Sequence, residues 1–471
     1  MLARRAVHYR FRMTRFAPLF SAAAVFFAFT AHAQAPAASA LVTPPADADI
    51  QKMVGEISAQ RLNDDIYKMV SFGTRHTLSD TKDKKRGIGA ARRWVEDEFK
   101  KYAKASGGRL KVEQDTFTVK PDGRRVDVKT VMANVMATLP GTDQNDNRVF
   151  IVSGHLDSRV TDVMNRTADA PGANDDGSGV AIVMELARVM STRKFPCTIV
   201  FVAVQGEEQS LIGSGYLARK AKANNWNVVG MLNNDIVGNS HGHDPDLSDA
   251  GRVRVFSEGV PAGETPEQAQ LRRQLSSEND SPSRQLARYA KRAGEQYVTG
   301  HVVELEYRPD RFLRGGDHTP FNQQGYAAVR FSEMNEDFTH QHQDLRTENG
   351  RPYGDLPEYV DYEYLRKNTG VNLATLAGLA LAPAAPQNVG VLTANLTNRT
   401  ELKWEAPATG RKPTGYVVLM RETSSPVWQR RFPVSGTTAD LPHSKDNYIF
   451  GVAAVDEQGH ESLPVIPKPV R

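Results

Sequence analysis

Carboxylate and histidine side chains follow several apolar segments of this chain, at the point where each segment ends. Helical patterns separate these segments, and strands that alternate with helices predict a largely parallel sheet between two helical layers. The carboxyl ends of parallel strands lie at one edge of such a sheet, where functional groups gather. The residues in question are His155 and Asp157 after 147–153, Glu207 and Glu208 after Thr198–Val204, and Asp235 at the end of 228–236.

A glycine-rich turn lies between these segments. Gly172-Ala-Asn-Asp-Asp-Gly-Ser-Gly179 holds Asp175 and Asp176 directly before the helical pattern Val180–Met190. Paired aspartates in loops are usually turn residues or helix caps. Because the other carboxylates and histidines are expected at the same edge, we predict that Asp175 belongs to a metal site.

The remaining patterns predict a three-layer α/β/α domain with a mostly parallel mixed sheet over 46–381, followed by a small all-β sandwich. The segment from His241 to Ser283 interrupts the alternation and is interpreted as an insertion or lid beside the site. The predicted strands are 110–118, 129–139, 147–153, 198–204, 228–236, 302–307 and 326–331, and the predicted helices are 47–70, 87–103, 180–190, 211–223, 283–293 and 360–381.

The first 33 residues have the layout of a secretory signal, with a basic front, an apolar centre and Ala31-His32-Ala33 as cleavage site. The chain has 59 Lys and Arg against 55 Asp and Glu, and five of the arginines lie in this segment. The remaining 54 basic residues are balanced by 55 acidic residues. Because no excess of positive charge is left, we predict no nucleic-acid partner. We expect a secreted or periplasmic protein, a disordered lead over 34–45, and no stable membrane insertion after cleavage.

The C-terminal part differs in character. A linker is predicted over 382–387, and short strands separated by turns follow over 388–471. The positions of Trp404, Tyr416 and Tyr448 resemble a fibronectin type III domain. The single cysteine, Cys197, excludes an intramolecular disulfide and is expected to be a buried, inert thiol.

Imidazole and carboxylate groups are good ligands for a divalent cation such as zinc. Five predicted ligands exceed the three protein ligands of a one-zinc hydrolase and suit two zinc ions that share one carboxylate. Asp175 is the expected bridge. One ion would take His155, Asp175 and Asp235, and the other would take Asp175, Glu208 and His340.

Glu207 and Glu208 follow a buried strand, so their side chains are expected to point to opposite sides. We therefore assign Glu208 as a ligand and Glu207 as the general base, which passes a proton from the water between the metals to the departing amine. Asp157 is expected to accept the second ring N–H of His155 and so fix its tautomer.

Six motifs follow one another in the chain: His155-x-Asp157, Gly172-Ala-x-Asp175-Asp-x-x-Gly179, Glu207-Glu208, Asn234-Asp235, Asp317-His318-x-Pro320-Phe321 and His340-x-x-x-Asp344. Together they resemble the co-catalytic two-zinc aminopeptidase family, whose relatives include secreted bacterial leucyl aminopeptidases, carboxypeptidase Q-like dipeptidases and the glutamate carboxypeptidase ectodomain. The resemblance covers about Asp47 to Leu381 and implies the same ligands, the same base, and a cis peptide bond between Asp175 and Asp176.

Three positions near the end of this set leave choices open. His340 is preferred to His342 as the last ligand because its spacing to Asp344 matches the His-x-x-x-Asp pattern of the family. Several relatives carry a tyrosine where this chain has Thr339, so His318 is a candidate for polarising the substrate carbonyl. Arg314, in a cluster with Arg308 and Arg311, is a candidate for binding a substrate carboxylate.

The main hypothesis is an exported di-zinc exopeptidase of the aminopeptidase type that cleaves peptide or protein substrates through a metal-bridged hydroxide. The same fold would also serve a carboxypeptidase or dipeptidase, or a glutaminyl-cyclase-like acyltransferase with one zinc. A binding ectodomain without catalysis is the alternative of another class. Oligomeric state is left open.

Overall fold

The computed structural model describes residues 43–471. The predicted signal peptide, 1–33, and most of the predicted lead, 34–45, lie outside the described residues. Within 43–471 no helix is both long and apolar enough to cross a membrane.

An eight-stranded mixed sheet forms the centre of the first part of the chain. Its order is β1-β2-β4-β3-β5-β10-β8-β9. Strands β4, β3, β5 and β10 are mutually parallel neighbours, whereas β1, β2 and the pair β8–β10 contribute the antiparallel contacts. The bounds are β1 (Lys111–Val119), β2 (Thr130–Leu139), β3 (Arg148–His155), β4 (Thr198–Val204), β5 (Asn227–Asn234), β6 (His241–Gly242), β7 (Leu247–Ser248), β8 (Arg252–Ser257), β9 (Val302–Glu306), β10 (Ala328–Glu333), β11 (Arg346–Glu348) and β12 (Arg351–Tyr353).

Helices cover both faces of this sheet, which confirms the three-layer α/β/α prediction. Successive residues of β3 show the two faces: Phe150 and Val152 pack into the larger core with α4, and Ile151 packs with α5 and α8. This alternation is the expected side-chain period of a strand that is buried on both faces. The helices are α1 (Ala48–Gly55), α2 (Ala59–Val70), α3 (Ile88–Ala105), α4 (Gly177–Met190), α5 (Ile212–Ala223), α6 (Pro266–Leu275), α7 (Pro282–Tyr297), α8 (Thr319–Gln323) and α9 (Tyr362–Leu381), with a 3-10 turn at Pro357–Tyr359.

Two predictions about secondary structure are corrected. The helix predicted over 47–70 is two helices, because Ser58 adopts an extended backbone and caps α2 by accepting the N–H of Arg61. The segment interpreted as an insertion contains α6 and β8, and β8 is a member of the central sheet. The apolar residues Val253 and Val255 alternate with arginines there, and the polar sequence around them masked the pattern.

The C-terminal part is a sandwich of two small sheets, of order β17-β14-β13-β19 and β16-β15-β18. Residues from both sheets, including Trp404, Tyr416 and Val452, share one core. Within the predicted linker, Ala382 and Ala384 are buried. The strands are β13 (Gln387–Leu392), β14 (Thr400–Glu405), β15 (Gly415–Glu422), β16 (Arg430–Val434), β17 (Thr438–Leu441), β18 (Tyr448–Val455) and β19 (Lys468–Val470).

Candidate metal centre and active site

The predicted ligands converge at the carboxyl edge of the central sheet. His155 is the last residue of β3, Asp235 follows the last residue of β5, and Glu208 lies shortly after β4. Asp175 lies in the turn before α4. Four of the five predicted ligands are therefore brought together by parallel strands and one turn.

Asp175 joins two groups of side chains. Its Oδ1 lies 3.1 Å from Nε2 of His155, which lies 3.8 Å from Oδ1 of Asp235. Its Oδ2 lies 2.8 Å from Nε2 of His342, which lies 2.9 Å from Oε1 of Glu208. Each group offers three ligand atoms within 4.8 Å of one another. One carboxylate thus presents a different oxygen to each half of the site.

This donor set fits zinc. Each group combines one imidazole nitrogen with carboxylate oxygens, and tetrahedral zinc accepts both ligand types at about 2 Å. His155, Asp175, Glu208 and Asp235 are all buried, and buried carboxylates need a cation or hydrogen-bond donors to remain ionised. Both groups can therefore hold a divalent ion.

The electrostatics of the two histidines also favour positive charge at this position. Burial alone would lower the pKa of His342, but Glu208 and Asp175 outweigh it and raise that pKa to about 10. Burial likewise opposes protonation of His155, yet the surrounding carboxylates, Asp176 first, raise its pKa. The pKa of Asp175 is lowered, because both imidazoles overcome the effect of its burial. The carboxylates that raise the pKa of the two histidines would equally stabilise a metal cation bound in either ligand group.

The preference for His340 is corrected. Its ring stacks on Tyr359 with centroids 3.8 Å apart, and its Nδ1 lies 3.6 Å from Asp337. His342 instead reaches Asp175 and Glu208 from a left-handed backbone conformation, φ 56°. In an irregular turn, the directions of two side chains that are two residues apart depend on the backbone dihedral angles and follow no regular period. Spacing to Asp344 therefore did not identify the histidine that lies near Asp175 and Glu208.

The expected role of Asp157 is also corrected. Nδ1 of His155 contacts the main-chain carbonyl of Asp157 at 2.9 Å, whereas the carboxylate lies 3.9 Å away. The carboxylate accepts the main-chain N–H groups of Gly206 at 2.8 Å and Glu208 at 3.1 Å, and the hydroxyl of Thr77 at 2.8 Å. Asp157 therefore fixes the turn that presents the two glutamates.

Asp176 and Asp355 hold the Asp175 turn in place. Asp176 accepts the main-chain N–H of His155 at 2.8 Å and that of Gly179 at 2.9 Å, so it links β3 to the start of α4. Asp355 accepts the main-chain N–H of Asp175 at 2.7 Å. The peptide bond between Asp175 and Asp176 is cis, as the family resemblance implied.

Two further contacts to the ligand carboxylates come from residues that the sequence did not single out. Gln341 donates to Oδ2 of Asp175 at 3.1 Å, and Arg330 lies 2.9 Å from Oδ1 of Asp235. Arg330 is fully buried within β10. An arginine between apolar residues of a buried strand requires an acidic partner, and this rule would have identified it. Asp355 follows no apolar strand and carried no such signal.

A cavity of about 610 Å³ opens over the site, and Glu207 lines it beside His155, Glu208 and Asp235. Burial raises the pKa of Glu207, and the charge of Glu208 adds to this shift. A raised pKa places a carboxylate nearer the working range of a general base. The position of Glu207 is thus consistent with proton transfer.

The two predicted substrate-binding residues differ in position. Arg314 lines the cavity. His318 is fully buried, its Nε2 bonds to the carbonyl of Pro309 at 2.7 Å, and it does not line the cavity. The prediction that His318 contacts substrate is therefore wrong. No residue of the segment 241–283 lines the cavity either.

Solved structures with the same fold include LapB from Legionella pneumophila, at 16% identity and a TM-score of 0.51, covering 72% of this chain and 76% of that chain. The LapA aminopeptidase of Legionella pneumophila has 19% identity and a TM-score of 0.50, covering 72% of this chain and 77% of that chain. At these identities the likeness concerns the fold.

Similar sequences extend over nearly the whole chain. A probable zinc metalloprotease of Leptosphaeria maculans is 48% identical over 91% of this chain and 99% of its own length. Another, from Pyricularia oryzae, is 47% identical over 90% of this chain and 85% of its own length. The fold and these relatives together define a zinc metallopeptidase. The chain belongs to peptidase family M28, whose model matches residues 134–351.

Proposed function

We propose that this chain is an exported di-zinc aminopeptidase that hydrolyses peptide bonds with Glu207 as general base. The observation that carries the proposal is the sharing of Asp175 between two complete ligand groups beneath one cavity. The signal-like pattern of residues 1–33 supports export. The fold it shares with the LapA aminopeptidase is compatible with attack from the amino end of a peptide.

In this proposal His155, Asp175 and Asp235 would hold one zinc ion, and Asp175, Glu208 and His342 would hold the other. The ions would polarise the scissile carbonyl and lower the pKa of a water molecule. Glu207 would take a proton from that water and deliver it to the departing amine.

The surrounding residues keep these groups in position for the reaction. Asp157 anchors the turn of Glu207 and Glu208 through main-chain N–H groups, and Gln341 orients Asp175. Positioned groups of this kind support catalysis because the reacting side chains need no reorganisation during the reaction.

Metal analysis and a substrate panel test the proposal. We expect about two zinc ions per chain, hydrolysis of unblocked aminoacyl amides, loss of activity with chelator and recovery with zinc. One zinc ion per chain with cyclisation of amino-terminal glutamine would favour the acyltransferase alternative. Preference for N-blocked peptides with a free carboxyl end would favour a carboxypeptidase.

The assignment of the last ligand is tested by a matched pair of variants. His342→Ala removes an imidazole from the group that includes Glu208, so we expect about one zinc ion per chain and loss of turnover. His340→Ala removes a ring that stacks on Tyr359 outside both groups, so it should retain two ions. The opposite pattern in metal content would restore His340 as the ligand.

The role of Glu207 is tested by Glu207→Gln, which keeps the shape of the side chain but cannot take a proton. We expect a fall in kcat of about 10²–10⁴-fold, the usual contribution of general acid–base catalysis, with zinc content unchanged. Glu358→Gln, at an exposed position away from the cavity, serves as control. Loss of zinc from Glu207→Gln would mean that Glu207 is a ligand.

A further inference from the structure

Charged side chains of both signs line the cavity over the metal centre. Its carboxylates are Glu207 and the three ligands Asp175, Glu208 and Asp235, and all four have roles in the proposed reaction. Two bound zinc ions would balance these four charges. The charges left for a substrate at the described part of the cavity are therefore those of its arginines, which are Arg125, Arg159, Arg311 and Arg314.

Two of these arginines are already engaged by other carboxylates. Arg311 lies 3.0 Å and Arg314 lies 3.1 Å from Oε2 of Glu336, and Arg311 also lies 3.1 Å from Asp310. The prediction from sequence that Arg314 binds a substrate carboxylate rested on this cluster. Its members are held by their neighbours, which makes them poorer candidates for binding a substrate anion.

Arg125 and Arg159 differ from that pair. Arg125 donates to the main-chain carbonyl of Glu208 at 2.5 Å and forms no ion pair with any residue of 43–471. Within the same range, the one carboxylate within 4 Å of Arg159 is Glu208, 3.7 Å from Nε. That Nε is buried without a hydrogen-bond partner. Both guanidinium groups thus adjoin the Glu208 half of the centre with donors to spare.

The backbone presents both arginines firmly. Asp122 accepts the main-chain N–H groups of Arg125 and Val126, each at 2.9 Å, and Val126 is fully buried. Arg159 lies between Ser158 and Val160, which are also fully buried. Because the backbone is already held, binding an anion would not require these loops to become ordered, which reduces one cost of binding.

We propose that Arg125 and Arg159 bind a carboxylate of the substrate next to the scissile bond, so that the preferred substrates are short peptides with an acidic group at that position. The inference rests on the proposed peptidase function and specifies its substrate class. A guanidinium donates two parallel hydrogen bonds to a carboxylate, which gives both affinity and orientation. The carboxylate belongs either to an acidic side chain or to the free carboxyl end.

Three matched substrate pairs distinguish these sources with zinc-loaded enzyme. Glu p-nitroanilide against Gln p-nitroanilide tests a side chain on the amino side of the bond. Leu-Glu amide against Leu-Gln amide tests a side chain on the other side, and Leu-Gln against Leu-Gln amide tests the carboxyl end. We expect kcat/KM to favour the carboxylate in one pair by about 10–100-fold, the range of a charge-assisted hydrogen bond.

Variants locate the effect. Arg159→Met and Arg125→Met should each reduce that preference by about tenfold or more, with two zinc ions retained, whereas Arg159→Lys should keep part of it. Arg124→Met is the matched control, because Arg124 is exposed on the same loop and does not line the cavity. It should leave the preference unchanged.

Binding of the same peptides to zinc-loaded Glu207→Gln, measured by calorimetry, separates this inference from the proposed function. Tighter binding of carboxylate peptides without turnover by the unmodified enzyme would support the inference and overturn the proposed function. Turnover of all three pairs with equal kcat/KM would overturn the inference and leave the function standing. A preference that survives both methionine variants would also overturn it.

Discussion

A buried ion pair joins the C-terminal sandwich to the peptidase part of the chain. Arg421 of β15 donates through Nη2 to both carboxylate oxygens of Asp280, at 2.8 and 2.9 Å, and both side chains are at most 1% exposed. Nη1 of Arg421 donates to three main-chain carbonyls of the following turn. We predict that Arg421→Met strongly destabilises the protein.

The magnitude follows from what the substitution leaves behind. Asp280 would keep a longer contact to the guanidinium of Arg288, at 3.5 Å, and three main-chain carbonyls would lose their donor. Breaking a buried pair by removing one partner costs about 3–5 kcal/mol when the remaining charge is left uncompensated, and the contact to Arg288 places the expected cost here at the lower end of that range. Arg421→Met with Asp280→Asn should therefore cost less than the two single changes together, by roughly 1–3 kcal/mol.

Denaturant unfolding followed by tryptophan fluorescence measures these differences. Arg399→Met is the control, since Arg399 pairs with Asp440 at 2.8 Å in the same sandwich but both side chains are about half exposed. A surface pair of this kind contributes about 0–1 kcal/mol. Equal, small effects of Arg421→Met and Arg399→Met would refute the reasoning, because the buried pair would then be open to water in solution.

Two further predictions concern charged groups at other positions. Arg330→Met should destabilise the metal-free protein by about 3–5 kcal/mol, since it leaves buried Asp235 and Asp310 without their shared cation. Differential scanning calorimetry should show a smaller loss of stability when zinc is present, because zinc can neutralise Asp235. Equal losses with and without zinc would contradict this prediction. Burial disfavours charge on His460, but Asp456, 2.8 Å away, outweighs it and raises its pKa. His460 therefore stabilises the fold below its unfolded pKa of about 6.5, and this contribution disappears as pH rises through the raised pKa of the folded state. His460→Gln should remove that part of the pH dependence of the free energy of unfolding. An unchanged pH dependence would count against a stabilising pair of His460 and Asp456.

Much of the central fold could be predicted because strands buried on both faces have a strong local signal. Thr198–Val204 is strand β4 with the predicted bounds, and the turn before α4 lies where the glycines indicated. The convergence of His155, Asp235 and Glu208 followed from one rule, that parallel strands end at the same edge. Side chains positioned by strand ends were therefore predictable.

Side chains in irregular segments were not predictable in the same way. His342 lies in a turn with a left-handed residue, and no periodicity indicates which of two nearby histidines faces the site. His318 belongs to a motif of the family, but its ring is fully buried and bonds to the carbonyl of Pro309. Strand β8 was missed because its short apolar pattern lies among charged and turn-forming residues.

The acidic residues around the site divide into two kinds, and the division explains why the role predicted for Asp157 differs from the observed one. Asp175 and Glu208 direct their oxygens at imidazole nitrogens, whereas Asp157, Asp176 and Asp355 accept main-chain N–H groups. The second kind satisfies buried backbone groups that would otherwise be unpaired. A sequence shows where acids cluster, but only the path of the backbone determines which of them remain available to bind a metal ion. Substitutions in the second kind should therefore change metal binding through the geometry of the turns, with every ligand still present.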